Sequence, residues 1–194
     1  PDTGYAPQSR HLFASAITPD GLVNYLPTLF DSLERRVVLM GPAGSGKATL
    51  VRRFYDAALS LGYNVEAFHC SLCPEQIEHL IVPDLSLGLI TSSPHHGYTP
   101  RLGDVVVNTA VYLDQGRLSP FTPDLEEAQG RFTSSLDRAI SFIRRAKETH
   151  DTMETHYVPH MDFAAINARR EETRKRLLAY AAEAGDAGNA SAAC

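Results

Sequence analysis

Gly41-Pro42-Ala43-Gly44-Ser45-Gly46-Lys47-Ala48-Thr49 is the stretch on which the reading of this chain turns. Branched residues, Val37-Val38-Leu39-Met40, run into it. Beyond it Leu50, Val51, Phe54, Ala57, Ala58 and Leu61 recur at three-and-four spacing. The order is a buried strand, a glycine-rich turn and an amphipathic helix. Its spacing is G-x-x-x-x-G-K, that of a phosphate-binding loop, or P-loop.

The chemistry follows from the backbone. Glycine reaches angles that a Cβ forbids, so successive N–H groups turn inward and form a nest for phosphate oxygens. The helix that follows adds unpaired N–H groups and the positive end of its dipole. Lys47 brings charge to the outer phosphates and is the first candidate catalytic residue. The residue after that lysine normally carries a hydroxyl that binds Mg²⁺. Here it is Ala48, and the hydroxyl comes one place later, at Thr49, the candidate metal ligand. The ligands this chemistry expects are a nucleotide phosphate chain and Mg²⁺.

With 194 residues the chain fits one domain of ordinary size. Its 43% apolar and 21% charged residues exclude a disordered or membrane-type composition. A net charge of −5 argues against general nucleic-acid binding. No apolar run approaches bilayer length, and no signal peptide is visible. Cys70, Cys73 and Cys194 do not make a secreted disulfide framework, so a cytoplasmic setting is expected. The chain begins at Pro1 without methionine, which suggests a piece of a larger parent.

In chain order, residues 1–10 read as a flexible arm and His11 to Ile17 as a strand. Thr18-Pro19-Asp20-Gly21 reads as a turn or helix entry. Leu22 to Leu33 suggest a helix weakened by Pro27. Gly62 suits the end of the helix after the loop. Strands are expected at Asn64–Phe68, Asp84–Ile90 and Val105–Val107, and a short helix from Pro74 to Leu80. Residues 122–183 form a helical hairpin broken at Pro159. Leu125, Ala128, Phe132, Leu136, Ala139, Ile140 and Ile143 mark one apolar face, and Phe163, Ile166, Thr173 and Leu177 another. Glu171–Lys175 and Glu172–Arg176 suit exposed i,i+4 pairs. Residues 184–194 read as a disordered tail, leaving 11–183 as the domain. The fold class is α/β, a P-loop NTPase with a mainly parallel sheet flanked by helices and a helical C-terminal hairpin.

Several further segments carry a resemblance: Arg10 to Pro19, Phe68-His69-Cys70-Ser71, His79 to Leu85, Ala146 to Asp151, and Met161-Asp162-Phe163. With the loop, they resemble an uncharacterised bacterial P-loop ATPase family, loosely described as nucleotide-kinase-like. The resemblance spans most of residues 10–180. It implies the P-loop NTPase fold, ATP binding, and a parent with two P-loop halves in tandem, of which this chain is similar to one. The other half is the expected partner.

Two positions depart from the Walker pattern. The strand ending at Ile90 is followed by Thr91 where an Asp is expected to hold Mg²⁺ through water, and Ala48 replaces the direct ligand. Thr91 is a candidate catalytic residue, with Asp104 and Asp84 as candidate substitutes for the missing acid. Slow hydrolysis is the expectation, because phosphoryl transfer depends on charge neutralisation. The rival readings are a phosphotransferase acting on a small nucleotide or metabolite, and a regulatory half that completes a partner's site. No N-K-x-D motif separates ATP from GTP.

The remaining candidates each have a plainer alternative. Cys70-Ser71-Leu72-Cys73 is a C-x-x-C that reads as zinc, redox or strand-end packing. His95-His96 and Arg101 are candidate phosphate contacts or surface loop residues. The run Arg169 to Arg176 interleaves acids and reads as a solvated face, with Arg170 on the apolar stripe as a structural pair. His150, His156 and His160 form a candidate metal set across the break at Pro159.

Overall fold

The computed structural model describes residues 6–93 and 97–191, with side chains described as far as Glu183. It divides into two compact units, residues up to 145 and residues from 146 on. The first unit runs β1 (Ser9–Phe13), β2 (Ser15–Thr18), β3 (Gly21–Asn24), α1 (Leu26–Leu29), β4 (Arg35–Met40), α2 (Lys47–Ser60), β5 (Val65–His69), β6 (Ile77–Val82), β7 (Leu87–Ser92), β8 (Val105–Asn108) and α3 (Gln115–Leu118). It also contains the larger part of α4 (Thr122–Tyr157). The second unit holds the end of α4, a turn at Val158–His160 and α5 (Phe163–Ser191).

The fold is α/β. Six strands form one mixed sheet in the order β1-β5-β6-β7-β4-β8. The pairs β1–β5, β7–β4 and β4–β8 are parallel, whereas β6 runs against both its neighbours. Alternation along the strands supplies two faces. Leu39, Ala67, Leu80 and Leu89 pack under Val51, Tyr55 and Ala58 of α2. Val38, Phe68, Ile81 and Ile90 pack under Leu26 of α1 and Phe30 just after it. With both faces covered, central strands read as continuous apolar runs, and Leu80-Ile81-Val82 is one. Each such side chain contributes about 1.5–3 kcal/mol relative to exposure.

The structure corrects several expectations. The arm ends early, because Ser9 and Arg10 already pair with Val65 and Glu66. His11 to Ile17 is two strands in different sheets, since Ser15–Thr18 pairs antiparallel with Gly21–Asn24. That hairpin replaces the first half of the helix expected over 22–33. It closes at Gly21, at φ 111°, where the Thr18 hydroxyl donates to the Gly21 carbonyl at 2.9 Å. Only Leu26–Leu29 is helical, and Pro27 sits in its first turn, where its missing N–H costs nothing. The helix expected over 74–80 is strand β6, because cross-strand pairing with β5 and β7 outweighs the local signal of Pro74. The apolar stripe of α4 is covered only in part: Leu136, Ile140 and Ile143 are half-buried, its other members are exposed, and no side chain of that helix is fully buried. The described side chains of α5 are exposed except half-buried Glu171. The tail expected to be disordered from 184 is helical through Ser191, with alanines at 184, 187 and 190 offsetting Gly185 and Gly188. On α5 the ion pairs are Arg169–Glu172 and Arg174–Glu171, not the expected i,i+4 pairs.

One buried ion pair ties the amino ends of β4 and β8. Arg36 Nε donates to Asp104 Oδ1 at 2.6 Å, and the Asp104 side chain has no exposed surface. The Tyr98 hydroxyl (3.1 Å) and the Arg101 amide (2.8 Å) donate to its Oδ2. Burial alone would raise the Asp104 carboxyl, but the Arg101 amide, Arg36 and Tyr98 outweigh it and hold it below the usual range. Such a depressed group stabilises the fold fully above the unfolded aspartate value, about 3.9, and the effect fades as pH falls through the lower folded value. Asp104→Asn leaves the Arg36 charge uncompensated and is expected to cost about 3–5 kcal/mol at pH 7. The gap to wild type should close as pH falls below about 4. Urea titrations across pH that show an equal gap at pH 7 and pH 2.5 would contradict this.

Candidate functional site: the cleft at the β4–α2 junction

Strand β4 ends at Met40, and the chain turns through Gly41–Gly46 into α2. Gly44 (φ 78°) and Gly46 (φ 84°) are left-handed, which frees the amides of the turn to face inward. Gly46 is the N-cap of α2, and no side chain caps that end. The first N–H groups of this 14-residue helix therefore lack an intrahelical or capping acceptor.

Lys47 closes the loop on itself. Its Nζ donates to the Gly41 and Pro42 carbonyls, both at 2.7 Å. An ammonium has three protons, so one remains for a ligand. Burial pulls the Lys47 amine below its ordinary range, and the neighbouring Glu78 carboxylate opposes that pull.

Thr109, just beyond β8, pins the other side of the loop. Its hydroxyl donates to the Met40 carbonyl at 2.9 Å and meets the Ser45 hydroxyl at 2.7 Å. Gly41 has no alternative there. Its φ is 147°, and a Cβ would lie 2.1 Å from Thr109 Oγ1. Nothing in the sequence marks Thr109, whose contact exists only because β8 pairs with β4.

The loop opens on a cleft of about 340 Å³. Gly44, Gly46, Lys47, Ala48 and Thr49 form one wall, and Gln76, Glu78 and Thr91 the other. Thr91 is buried at the end of β7, level with Leu39 of β4, and its amide donates to His79 Nδ1 at 3.1 Å. That bond assigns the proton of a neutral His79 ring to Nε2. Glu78 is the residue the motif reading missed. Its Oε2 is buried and has no hydrogen-bond partner, with His79 Nε2 3.9 Å away. Glu78 falls where the pairing of β6 with β5 steps from Phe68–His79 to His69–Ile77, so that Ile77 packs with Leu80 and Val82 and not on the Ile81 face, an irregularity that no sequence pattern marks.

The other acids named for the metal stand at the wrong end. Asp84 lies in the turn before β7, and Asp104 immediately precedes β8. Both strands run parallel to β4, so these acids sit at its amino end while the loop sits at its carboxyl end. Asp104 is moreover saturated by Arg36, Tyr98 and Arg101. Arg101 is no phosphate contact, since its guanidinium holds Asp31 and the Pro27 carbonyl. His95 and His96 lie outside the described residues.

Both Cys70 and Cys73 are free. Burial, with a lesser contribution from Glu78, pushes the Cys70 thiol up, and Cys73 Sγ donates to Glu75 at 3.2 Å. Among the described residues the ligand-type cluster is His150, Asp151 and Glu154 on α4, all exposed, which includes neither cysteine. It also excludes His156 and His160; His160 Nδ1 instead meets the His156 carbonyl at 2.9 Å. Arg170 is exposed beside Glu171. No described helix is long and apolar enough to cross a membrane. Compared with family models, curated proteins and solved structures, the chain shows no match.

The loop generates a rank-order prediction. A Cβ at Gly44 meets nothing within 4 Å, so Gly44→Ala carries only the left-handed backbone cost, about 1–2 kcal/mol. Gly41→Ala adds a collision with Thr109 and should lose at least about 1–3 kcal/mol more. Urea unfolding of the two variants measures the order, and equal losses would contradict the packing described.

Proposed function

We propose that this chain is a P-loop nucleotide-binding domain that holds the triphosphate of ATP with Mg²⁺. In this reading it belongs to a larger ATPase whose second P-loop half is its partner, and it turns nucleotide over slowly or not at all. The observation that carries the reading is the uncapped α2 N-terminus opening, through a loop with left-handed glycines, onto a cleft beside Lys47. Inward amides and a helix dipole favour a polyanion over any neutral ligand.

Each residue has a defined task. The amides of Gly44 and of Gly46 to Ala48 donate to phosphate oxygens, while the Ser45 amide stays with the Pro42 carbonyl. The remaining Lys47 proton adds a charge-assisted bond to an outer phosphate. Ser45 and Thr109 keep the loop in its receiving shape. The hydroxyls of Thr49 and Thr91 and the Glu78 carboxylate suit a hard, oxygen-seeking cation. When bound, Mg²⁺ neutralises charge between phosphates. Ala48 contributes no hydroxyl to it, which is the physical ground for slow turnover.

Titration of fluorescent ATP and GTP analogues tests this directly. Wild type is expected to bind at least one of them, and Lys47→Ala should bind at least about tenfold more weakly, the cost of one charge-assisted bond. Absence of triphosphate binding by the folded wild-type chain would end the proposal.

A further inference from the structure

Strand β6 runs opposite to the rest of the sheet, and this changes which residues reach the cleft. The parallel strands present their carboxyl ends there, but β6 presents its beginning. The registered pairing of β6 with β7 reaches as far as His79–Ile90, and just beyond it Glu78 and Thr91 line the same cleft. The acid missing after Ile90 thus has a counterpart on the neighbouring strand.

The surroundings of Glu78 ask for a cation. Its Oε2 is buried without a hydrogen-bond partner, and His79 Nε2 at 3.9 Å is beyond bonding distance. A buried carboxylate oxygen left unpaired is costly unless something positive reaches it. Lys47 is the nearby charge, but two of its three protons are committed to Gly41 and Pro42. A second carboxylate at position 91 would line the same cleft as Glu78, where like charges repel, whereas Thr91 adds none.

We propose that Glu78 is the carboxylate ligand of a divalent cation, Mg²⁺ or Mn²⁺, bound in the cleft together with the phosphates held by the Gly41–Thr49 loop. This rests on the nucleotide-binding reading above. Glu78 takes the place of the Walker acid, delivered by the reversed strand. The cation bridges two groups that otherwise repel, so Glu78 has opposite effects in the two states. Without cation its charge opposes the triphosphate. With cation it anchors the complex.

The test compares ATP affinity in EDTA and in Mg²⁺ for the full chain. Wild type is expected to bind ATP at least about tenfold more tightly with Mg²⁺, a coupling of ordinary size. Glu78→Gln should bind metal-free ATP as tightly as wild type or tighter, and its gain from Mg²⁺ should fall below about twofold. Its melting temperature, measured alongside, shows that the variant is folded. A Glu78→Gln protein that keeps the full Mg²⁺ enhancement overturns the inference and leaves nucleotide binding standing. Wild type that binds no nucleotide in either buffer overturns the function instead. Should Glu78→Gln fail to fold, Glu78→Asp decides, since it keeps the charge but withdraws it by one methylene. A severalfold smaller Mg²⁺ enhancement then supports the ligand role, and an undiminished one refutes it.

Discussion

The grip of the Lys47 ammonium on the Gly41 and Pro42 carbonyls is the constraint on which the loop depends. Five residues separate Gly41 from Lys47, and without a tie between them the turn would have many shapes of similar energy. Two charge-assisted bonds to the first carbonyls select one shape. Thr109 then fixes that shape against β8 through Ser45 and Met40. The lysine's anchor lies on the backbone, so the loop holds its shape without any ligand. Binding to a preformed site avoids the entropy of ordering a loop.

The sheet beneath has a different logic at each end. Its amino end is tied by Arg36 and Asp104, and around Asp104 the polar atoms are matched: two side chains and one amide share the carboxylate oxygens. A buried pair so fully bonded has nothing left to offer a ligand. Sequence proximity to the strands made Asp104 and Asp84 candidates for the metal. Parallel pairing of β7 and β8 with β4 sends them to the far edge instead.

What could be read from the residues was what their neighbours in sequence determine. The run Val37 to Met40, the glycine spacing and the periodicity of Leu50 to Leu61 are local, and they place β4, the loop and α2 within a few residues. Strand β8 and the left-handed Gly62, at φ 82°, were legible for the same reason. The β2–β3 hairpin and β6 were not, because apolar residues such as Leu22, Val23 and Leu80 suit a helix or a strand equally. Partners distant in the chain decide between the two. The candidate site divides the same way. Lys47 belongs to a motif, whereas Glu78 and Thr109 reach the loop only through strand pairing. The stripe of α4, half-buried only at Leu136, Ile140 and Ile143, and the exposed stripe of α5 show the converse: helical periodicity predicts a helix, but not how far its apolar face is covered.

Reversing one strand within a parallel sheet alters its ligand edge as well as its hydrogen-bond pattern. A parallel strand can offer that edge only its last residues and the loop that follows. A reversed strand offers its first residues instead. Glu78 stands there, where the pairing with β5 steps from Phe68–His79 to His69–Ile77 and passes it over, and the registered pairing with β7 begins only at His79. Such an irregularity re-aims a side chain out of the regular alternation. The carboxylate it places beside the loop keeps one oxygen without a hydrogen-bond partner, which a regular ladder position would not have brought to the cleft.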